Sequence, residues 1–583
     1  MKINPTMKLP LGRIFRKWKA EEIFGGVIVL MSVMMYFFTV FKFAVNIPVW
    51  DEYAAALNFL EIYLKENYLQ RMLLLFKQFN EHRIFSYLLT VVTEYNILGE
   101  INFRYIIIFG NLGMVGLLYC LYRLIDPSNR NILVFVPVVL LIMAPVNNIT
   151  DWGILTMNSI NEFLLVFAAL SFLNRQGSTA FSIAIVLAFI ATFSFGNGMI
   201  VFPAGLLILY FKSTRSSWMI FIWTFLMVAF IILYFINFNY TTSPYSKILI
   251  LHQPFYGLYF FLTFFGGFIK LFGNHSHLLP ITGCIILIIT CYILLSKWKY
   301  FTEKPLIMAY LFFIFTSAVT VTISRIGFGI DTASANRYRL LPVIFLGIVY
   351  IAVINTRKQL NRNYLYLVVL GSLFLFSGRL MNSFKELKEQ KLQTNWGLFS
   401  YYYNPDSTHL LCPNQQWASH RISTAISMGY YNPPDIMELY PENPSSENVT
   451  SIPESNTIMY WIDQVFEYQD LLYISGWAFI NEKKVNNSQI MIVFKSAENV
   501  YVFPAIQVDR YDVKGVFEKD YQGATDHCGF KFHLNKSNFM FPRQEYQIGI
   551  CIVKSGKMLG LRFTNTFIKF STTKISSNPR RYH

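Results

Sequence analysis

The sequence predicts a polytopic α-helical membrane protein of about eleven spans followed by an exported C-terminal β-sandwich domain, and three observations carry that expectation. Only 14% of the 583 residues are charged while 54% are hydrophobic, against roughly 25% charged in an ordinary soluble domain. Charge-free apolar runs recur between residues 23 and 378, and a chain crossing lipid must satisfy its backbone hydrogen bonds within each helix. Beyond residue 456 the pattern changes to short β-rich runs separated by turn residues. These features exclude a purely soluble enzyme and a disordered chain. The 49 basic and 33 acidic residues leave a net charge of +16, which in a soluble protein would point to nucleic acid. Here much of the excess sits in short loops, where a positive-inside bias explains it, and no nucleic-acid partner is expected. The six cysteines form no C-x-x-C pair and no His/Cys cluster, so neither a disulfide framework nor a zinc site is implied.

Taken in order, residues 1–22 form a basic cytoplasmic N-terminus. Ile23 to Phe41 is the first span, too long for a signal-peptide core. Further apolar runs lie at 105–122, 131–150, 163–174, 176–211, 218–236, 278–296, 305–324, 340–356 and 364–378. The 176–211 run is too long for one helix, and Gly196-Asn197-Gly198 near its middle is a turn signal, so it divides into two. Basic residues occupy alternate loops: Arg123 and Arg130, Arg175, Lys212 and Arg215, Lys297, Lys299 and Lys304, then Arg357, Lys358 and Arg362. Those loops then face the cytoplasm. The exported loops of the 23–380 membrane domain are 45–102, 146–161, 237–277 and 324–339. The stretch Phe255–Phe272, broken by Gly266, Gly267 and Lys270, reads as re-entrant or interfacial, because counting it as a span would invert every later loop.

An odd number of spans exports the rest of the chain. Residues 381–455 are polar and read as a linker or subdomain. From 456 to 583, runs such as Leu471 to Phe479, Ile490 to Phe494 and Tyr546 to Val553, separated by Gly, Asn and Asp, predict a small antiparallel sandwich.

Candidate chemistry gathers in the exported loops. Trp50-Asp51-Glu52-Tyr53 places two adjacent carboxylates at the outer interface, although Asp-Glu after Pro48 also suits a helix N-terminus. The segment 53–102 reads as amphipathic surface helices. Within it Asn80-Glu81-His82-Arg83 joins an amide, an acid, an imidazole and a guanidinium; His82 suits acid/base work or metal binding, and equally a structural role. The next loop brings Asp151 and Trp152, with Asn147, Asn148, Asn158, Asn161 and Glu162 nearby. Carboxylates and amides suit sugar hydroxyls and Trp faces suit sugar rings, while a Trp here also fits an aromatic belt. The loop before the last two spans carries Arg325, Arg337, Tyr338 and Arg339 on the side where basic residues should be scarce. A lipid-carrier phosphate or pyrophosphate would account for them, since guanidinium binds phosphate bidentately; snorkelling to headgroups is the alternative.

An Asp-Glu pair in the first exported loop, surface helices, a second acidic loop, many spans and an exported C-terminal domain resemble the GT-C superfamily of integral-membrane glycosyltransferases. The chain is similar within it to bacterial polyprenyl-phosphate-sugar transferases that decorate O-antigen or other surface polysaccharides. The resemblance covers roughly residues 20 to 380 and rests on architecture more than on long motifs. It implies a multi-pass protein of the bacterial inner membrane with its C-terminal domain outside. It also implies a polyprenyl-phosphate-linked sugar donor and a glycan or lipid-linked acceptor, in contact with membrane lipid. The reaction would be an inverting displacement with Asp51 as base and Glu52 as its immediate alternative. Glu81 and Asp151 are further catalytic candidates, and Asn80, His82, Arg83, Trp152 and the loop residues 325 and 337–339 are binding candidates. No D-x-D triplet is present, which argues against a nucleotide-sugar enzyme of the soluble type and leaves a divalent metal open, with no other cofactor implied. Three other classes compete: a transporter of lipid-linked oligosaccharide, a polysaccharide polymerase or ligase, and an exported glycan-binding assembly protein. A transporter is expected to carry ionisable groups inside its spans, a polymerase a large late Arg-rich loop.

Overall fold

The computed structural model describes residues 20–434 except 147, 213–216, 240–248, 273–275, 358–360 and 404–409, and residues 457–569 except 469–470, 481–487, 498, 518–519, 522–524, 526, 536–543 and 555–556. The basic N-terminal segment, Asn147, parts of the 237–277 loop and residues 435–455 of the expected linker lie outside the described residues. Two compact units divide the chain, Met1–Pro434 and Asp435–His583.

The first unit is helical. Among the described residues eight helices are long and apolar enough to cross a membrane: Ala20–Phe43, Phe103–Tyr122, Gly153–Leu173, Ser217–Phe235, Leu279–Ser296, Pro305–Phe328, Asn336–Thr356 and Arg362–Asn395. Their apolar residues face both ways. In Ala20–Phe43, Leu30, Met34 and Phe38 are exposed while Tyr36 and Val40 are buried, as expected when lipid takes the place of water on the outer face. Tyr36 donates to the Asn111 side chain at 2.5 Å, and Asn111 in turn donates to the carbonyls of Ile107 and Thr150.

Three shorter apolar helices, Ile132–Ile142, Ser178–Ser194 and Gly196–Phe211, occupy runs that the sequence reading counted as spans. The first is followed closely by Pro145, which disfavours helix in the residue before it. The long 176–211 run breaks where expected, with one helix ending at Ser194 and a 3₁₀ turn starting at Gly196. Phe255–Phe272 forms a 13-residue helix, Pro254–Gly266, that runs into a 3₁₀ turn.

Two differences from the sequence reading matter for function. The helix after the 146–152 loop begins at Gly153 and continues through a π turn, Met157–Asn161, so Asn158, Asn161 and Glu162 belong to it. The residues after 381 do not start a separate linker: one helix runs from Arg362 to Tyr403, and a second, Gln415–Ser427, returns to the first loop. There Arg421 pairs with Glu61 at 2.6 Å, Tyr430 donates to the Leu57 carbonyl and the Trp50 amide donates to the Leu411 carbonyl.

The loops sort to two ends of this unit. Lys304 pairs with Asp126 at 2.5 Å, Asn129 donates to the Ile354 carbonyl and Lys212 donates to the Arg175 carbonyl. The Phe211 ring also lies 5.9 Å from that of Trp298, so the basic loops share one end. The acidic and aromatic loops share the other, where Glu81 meets Arg325 and Thr320 donates to Asn197.

The second unit holds two four-stranded antiparallel sheets. One runs in the order Ile458–Tyr468, Leu471–Ile480, Gly529–Asn535, Ile506–Val508; the other runs Lys557–Lys569, Glu545–Lys554, Gln489–Lys495, Val500–Pro504. Leu472 and Ile474 of one sheet share an apolar core with Ile492, Phe494 and Ile548 of the other. Trp477 pairs across strands with Trp461 and Gly529 and stacks on Phe479 at 5.7 Å. Arg510 bonds Asp512 at 2.6 Å and also Asp463, and a Cβ on Gly529 would press on its stem. Trp477, Gly529, Arg510 and Asp512 therefore lie in one packing arrangement.

Candidate functional site

Asp51 follows an unusual backbone. Trp50 has φ 51°, a left-handed conformation that a bulky residue rarely adopts, and Asn80 and Asn148 nearby in the loops have φ 47° and 71°. Strain of this kind persists only where surrounding bonds enforce it, and the Trp50 amide is held by Leu411. A helical turn starts at Asp51, whose carbonyl accepts from the Ala55 amide at 2.8 Å, and it passes into a π turn over Tyr53–Asn58. Consecutive helical residues point about 100° apart, so Asp51 and Glu52 diverge.

Glu52 is 1% exposed. One carboxyl oxygen accepts from the Val49 amide at 3.0 Å and the other from the Ile154 amide at 3.2 Å. A Cβ at Gly153 would lie 2.8 Å from Glu52 Oε1, so only glycine lets the two loops approach. Burial pushes the Glu52 carboxyl up to about 8, against the pull of these backbone bonds. This residue ties the loop after the first helix to the start of helix Gly153–Leu173 and lines neither cavity described below. Glu52→Ala should therefore destabilise the fold by about 1–3 kcal/mol for each buried amide left unpaired. Thermal unfolding in detergent checks this, with Glu52→Gln, which keeps one acceptor oxygen, less affected.

Two cavities meet at Asp51. The inner one, about 450 Å³, is lined by Asp51, Asn80, Glu81, His82, Asn158, Glu162, Arg325, Arg337 and Tyr338 together with aromatic residues such as Phe195 and Phe238. The outer one, about 690 Å³, is lined by Trp50, Trp152 and Trp417, by Asn148, Asn414, Gln390 and Gln393, and again by Asp51 and Arg337. Asn80 donates to the Asp51 carboxylate at 3.4 Å. Burial raises the Asp51 carboxyl above its ordinary range and the charge of Glu81 adds to this, while the Asn80 bond and Arg337 pull it back.

Glu81 is also partly buried, but its 2.9 Å pair with Arg325 outweighs that and holds its carboxyl below the usual range. His82 lies in a two-residue β hairpin, Gln78–Phe79 with His82–Arg83, and its ring is 4.0 Å from that of Phe195. Burial, helped by the Arg325 and Arg337 charges, lowers its imidazole to about 4. That shift favours the neutral form at pH 7, with one ring nitrogen as donor and the other as acceptor. Arg337 forms no ion pair among the described residues, and its guanidinium sits 5.0 Å from the Tyr338 ring.

Three expected site residues lie elsewhere. Arg83 is buried and donates to the carbonyls of Tyr234 and Ile236 at 2.8 and 2.7 Å and to that of Phe76, so it fastens the hairpin to the neighbouring helix. Asp151 accepts from the Asn148 amide at 2.7 Å, and burial raises its carboxyl to about 7; it shapes the loop that presents Asn148 and Trp152. Arg339 donates weakly to the Ser334 carbonyl at 3.5 Å and lines neither cavity. Trp417, Gln390 and Gln393 were not singled out from the sequence, because they lie more than 300 residues from Asp51 and only the long helix Arg362–Tyr403 and the returning helix Gln415–Ser427 bring them there.

Among the described residues no three His, Cys, Asp or Glu side chains gather as a set of metal ligands. No family model matches the chain, and comparison with curated proteins and with solved structures finds no match.

Proposed function

We propose that the chain is a membrane glycosyltransferase of the GT-C type. In this reading it moves a sugar from a polyprenyl-phosphate carrier to a glycan or lipid-linked acceptor on the outer face of the bacterial inner membrane. The observation that supports the reading is the shared wall of the two cavities, where one carboxylate and one unpaired guanidinium face both. The inner cavity supplies arginine for the carrier phosphate. The outer cavity supplies tryptophan faces and amides for a sugar-containing acceptor. Asp51 takes the proton from the acceptor hydroxyl as its oxygen attacks the anomeric carbon; the bond from that carbon to the phosphate oxygen breaks, configuration inverts, and the carrier phosphate leaves with its charge beside Arg337. The three short apolar helices complete eleven spans, and the two sheets of the second unit form an exported sandwich.

Mass spectrometry of surface glycans and carrier lipids from cells with and without the chain tests the reading. Loss of one glycan substituent with accumulation of sugar-loaded carrier is expected; unchanged glycans and carriers would overturn it. A transporter of lipid-linked oligosaccharide is the second reading, favoured by one observation, an acid inside a span at Glu162.

Orientation has its own test. In a cysteine-free background, an impermeant maleimide applied from outside should label Ser427→Cys, in the returning helix, and spare Ser178→Cys, beside Arg175. The opposite pattern would invert the map.

A further inference from the structure

Glu162 is the only charged residue of the span Gly153–Leu173. It lies ten residues beyond Trp152, about 15 Å along a helix at 1.5 Å per residue. It is 1% exposed, forms no ion pair among the described residues, and its Oε1 has no hydrogen-bond partner. One turn earlier Asn158 is 6% exposed, and its Oδ1 also lacks a partner. Both side chains line the inner cavity, as does His82, whose Nδ1 is a third unpartnered atom. An acid at this depth is costly and marks function by default. A buried polar atom without a partner calls for one that the protein does not supply, and three around one cavity call for a ligand.

The chemistry of that ligand follows from the division of the cavity. Arg337 provides a cationic group without an ion pair among the described residues, beside Arg325, which pairs with Glu81; Glu162 and Asn158 provide a carboxyl and an amide, which suit neutral hydroxyls. A molecule with an anionic group and a polyhydroxylated group satisfies both. We propose that Glu162 and Asn158 read the sugar of the donor, hydrogen-bonding ring hydroxyls while the arginines hold the carrier phosphate. Asn158 lies in the π turn and Glu162 caps it, which supports this, because such turns are frequent at functional sites. The inference rests on the glycosyltransferase reading and assigns to this pair the choice among donor sugars.

The test is binding to purified protein in detergent, with decaprenyl phosphate as the bare carrier and decaprenyl phosphate bearing glucose, galactose, mannose, arabinose or N-acetylglucosamine as the loaded ones. Wild type should bind one loaded carrier more tightly than the bare one. In Asn158→Ala and Glu162→Ala that sugar-dependent gain should fall about ten- to a hundredfold, the value of one or two lost hydrogen bonds, while affinity for the bare carrier stays unchanged. Glu162→Gln, which keeps the shape and one acceptor, should retain part of the gain. If the gain persists in all three variants, or if the bare carrier weakens in step with the loaded one, the pair does not read the sugar. Wild type that binds the bare carrier with no gain from any sugar overturns this inference alone. Wild type that binds no carrier overturns the glycosyltransferase reading as well. Proton or cation uptake in vesicles that depends on Glu162 would assign the acid to transport.

Discussion

Asp51→Asn is expected to lower sugar transfer by roughly 10² to 10⁴-fold, the usual contribution of a positioned base, with insertion and carrier binding intact. The substitution changes almost no volume, and the Asp51 side chain is contacted chiefly by Asn80. Glu52→Gln is the informative partner, because its position bridges two loops through backbone amides. A loss of stability with residual turnover is expected there. A dead Glu52→Gln beside an active Asp51→Asn would exchange the roles, and activity in both would make the site structural. The pH profile adds a second readout. A base works deprotonated, so kcat/KM should fall as pH drops through the raised pKa of Asp51, above the ordinary Asp value of about 3.9. Asn80→Ala removes a contact that lowers that pKa and should move the acid limb to higher pH. An unmoved limb would assign the limb to another group.

Periodicity and charge made much of this visible in advance. The break at Gly196 followed from a run too long for one helix. The sorting of Arg175, Lys212 and Lys304 to one end followed from loop charge. The acids of the site were also legible, because an Asp or Glu beside Trp is conspicuous in so apolar a chain. What failed was any inference that needed the direction of a side chain or a contact distant in sequence. Treating Glu162 as the edge of a span assumed that acids stay outside lipid, yet this one sits inside the helix against a cavity. Asn80-Glu81-His82-Arg83 read as one functional cluster, but alternation along a strand sends neighbours to opposite sides, and Arg83 points into a cage of carbonyls. The polar stretch after 381 looked like a linker because its helix Gln415–Ser427 contains few large apolar residues; it is anchored instead by Arg421 on Glu61 and by tyrosine hydroxyls on backbone carbonyls.

The arginines of the 324–339 loop should separate in the same way. Arg337 and Arg339 stand two apart, Arg337 within the 3₁₀ turn Asn336–Tyr338 and Arg339 as its cap. At three residues per turn their side chains leave the axis roughly 120° apart, and of the two only Arg337 lines the cavities. Arg337 faces the site, exposed and without an ion pair among the described residues, whereas Arg325 there is engaged by Glu81. Arg337→Lys should weaken binding of polyprenyl phosphate by about ten- to a hundredfold, because a point charge cannot reproduce a bidentate fork and a charge-assisted hydrogen bond contributes about 1.5–3 kcal/mol. Arg339→Lys should leave that affinity unchanged. Titration of each purified variant with decaprenyl phosphate in detergent measures the difference. Equal affinity in wild type and Arg337→Lys would reduce this arginine to a headgroup anchor. Weakening confined to Arg339→Lys would require the loop to turn over when the carrier binds. Because Arg337 also lines the outer cavity, its loss should slow transfer beyond the effect on carrier affinity: the phosphate that departs from the anomeric carbon gains charge in the transition state at the point where the two cavities join.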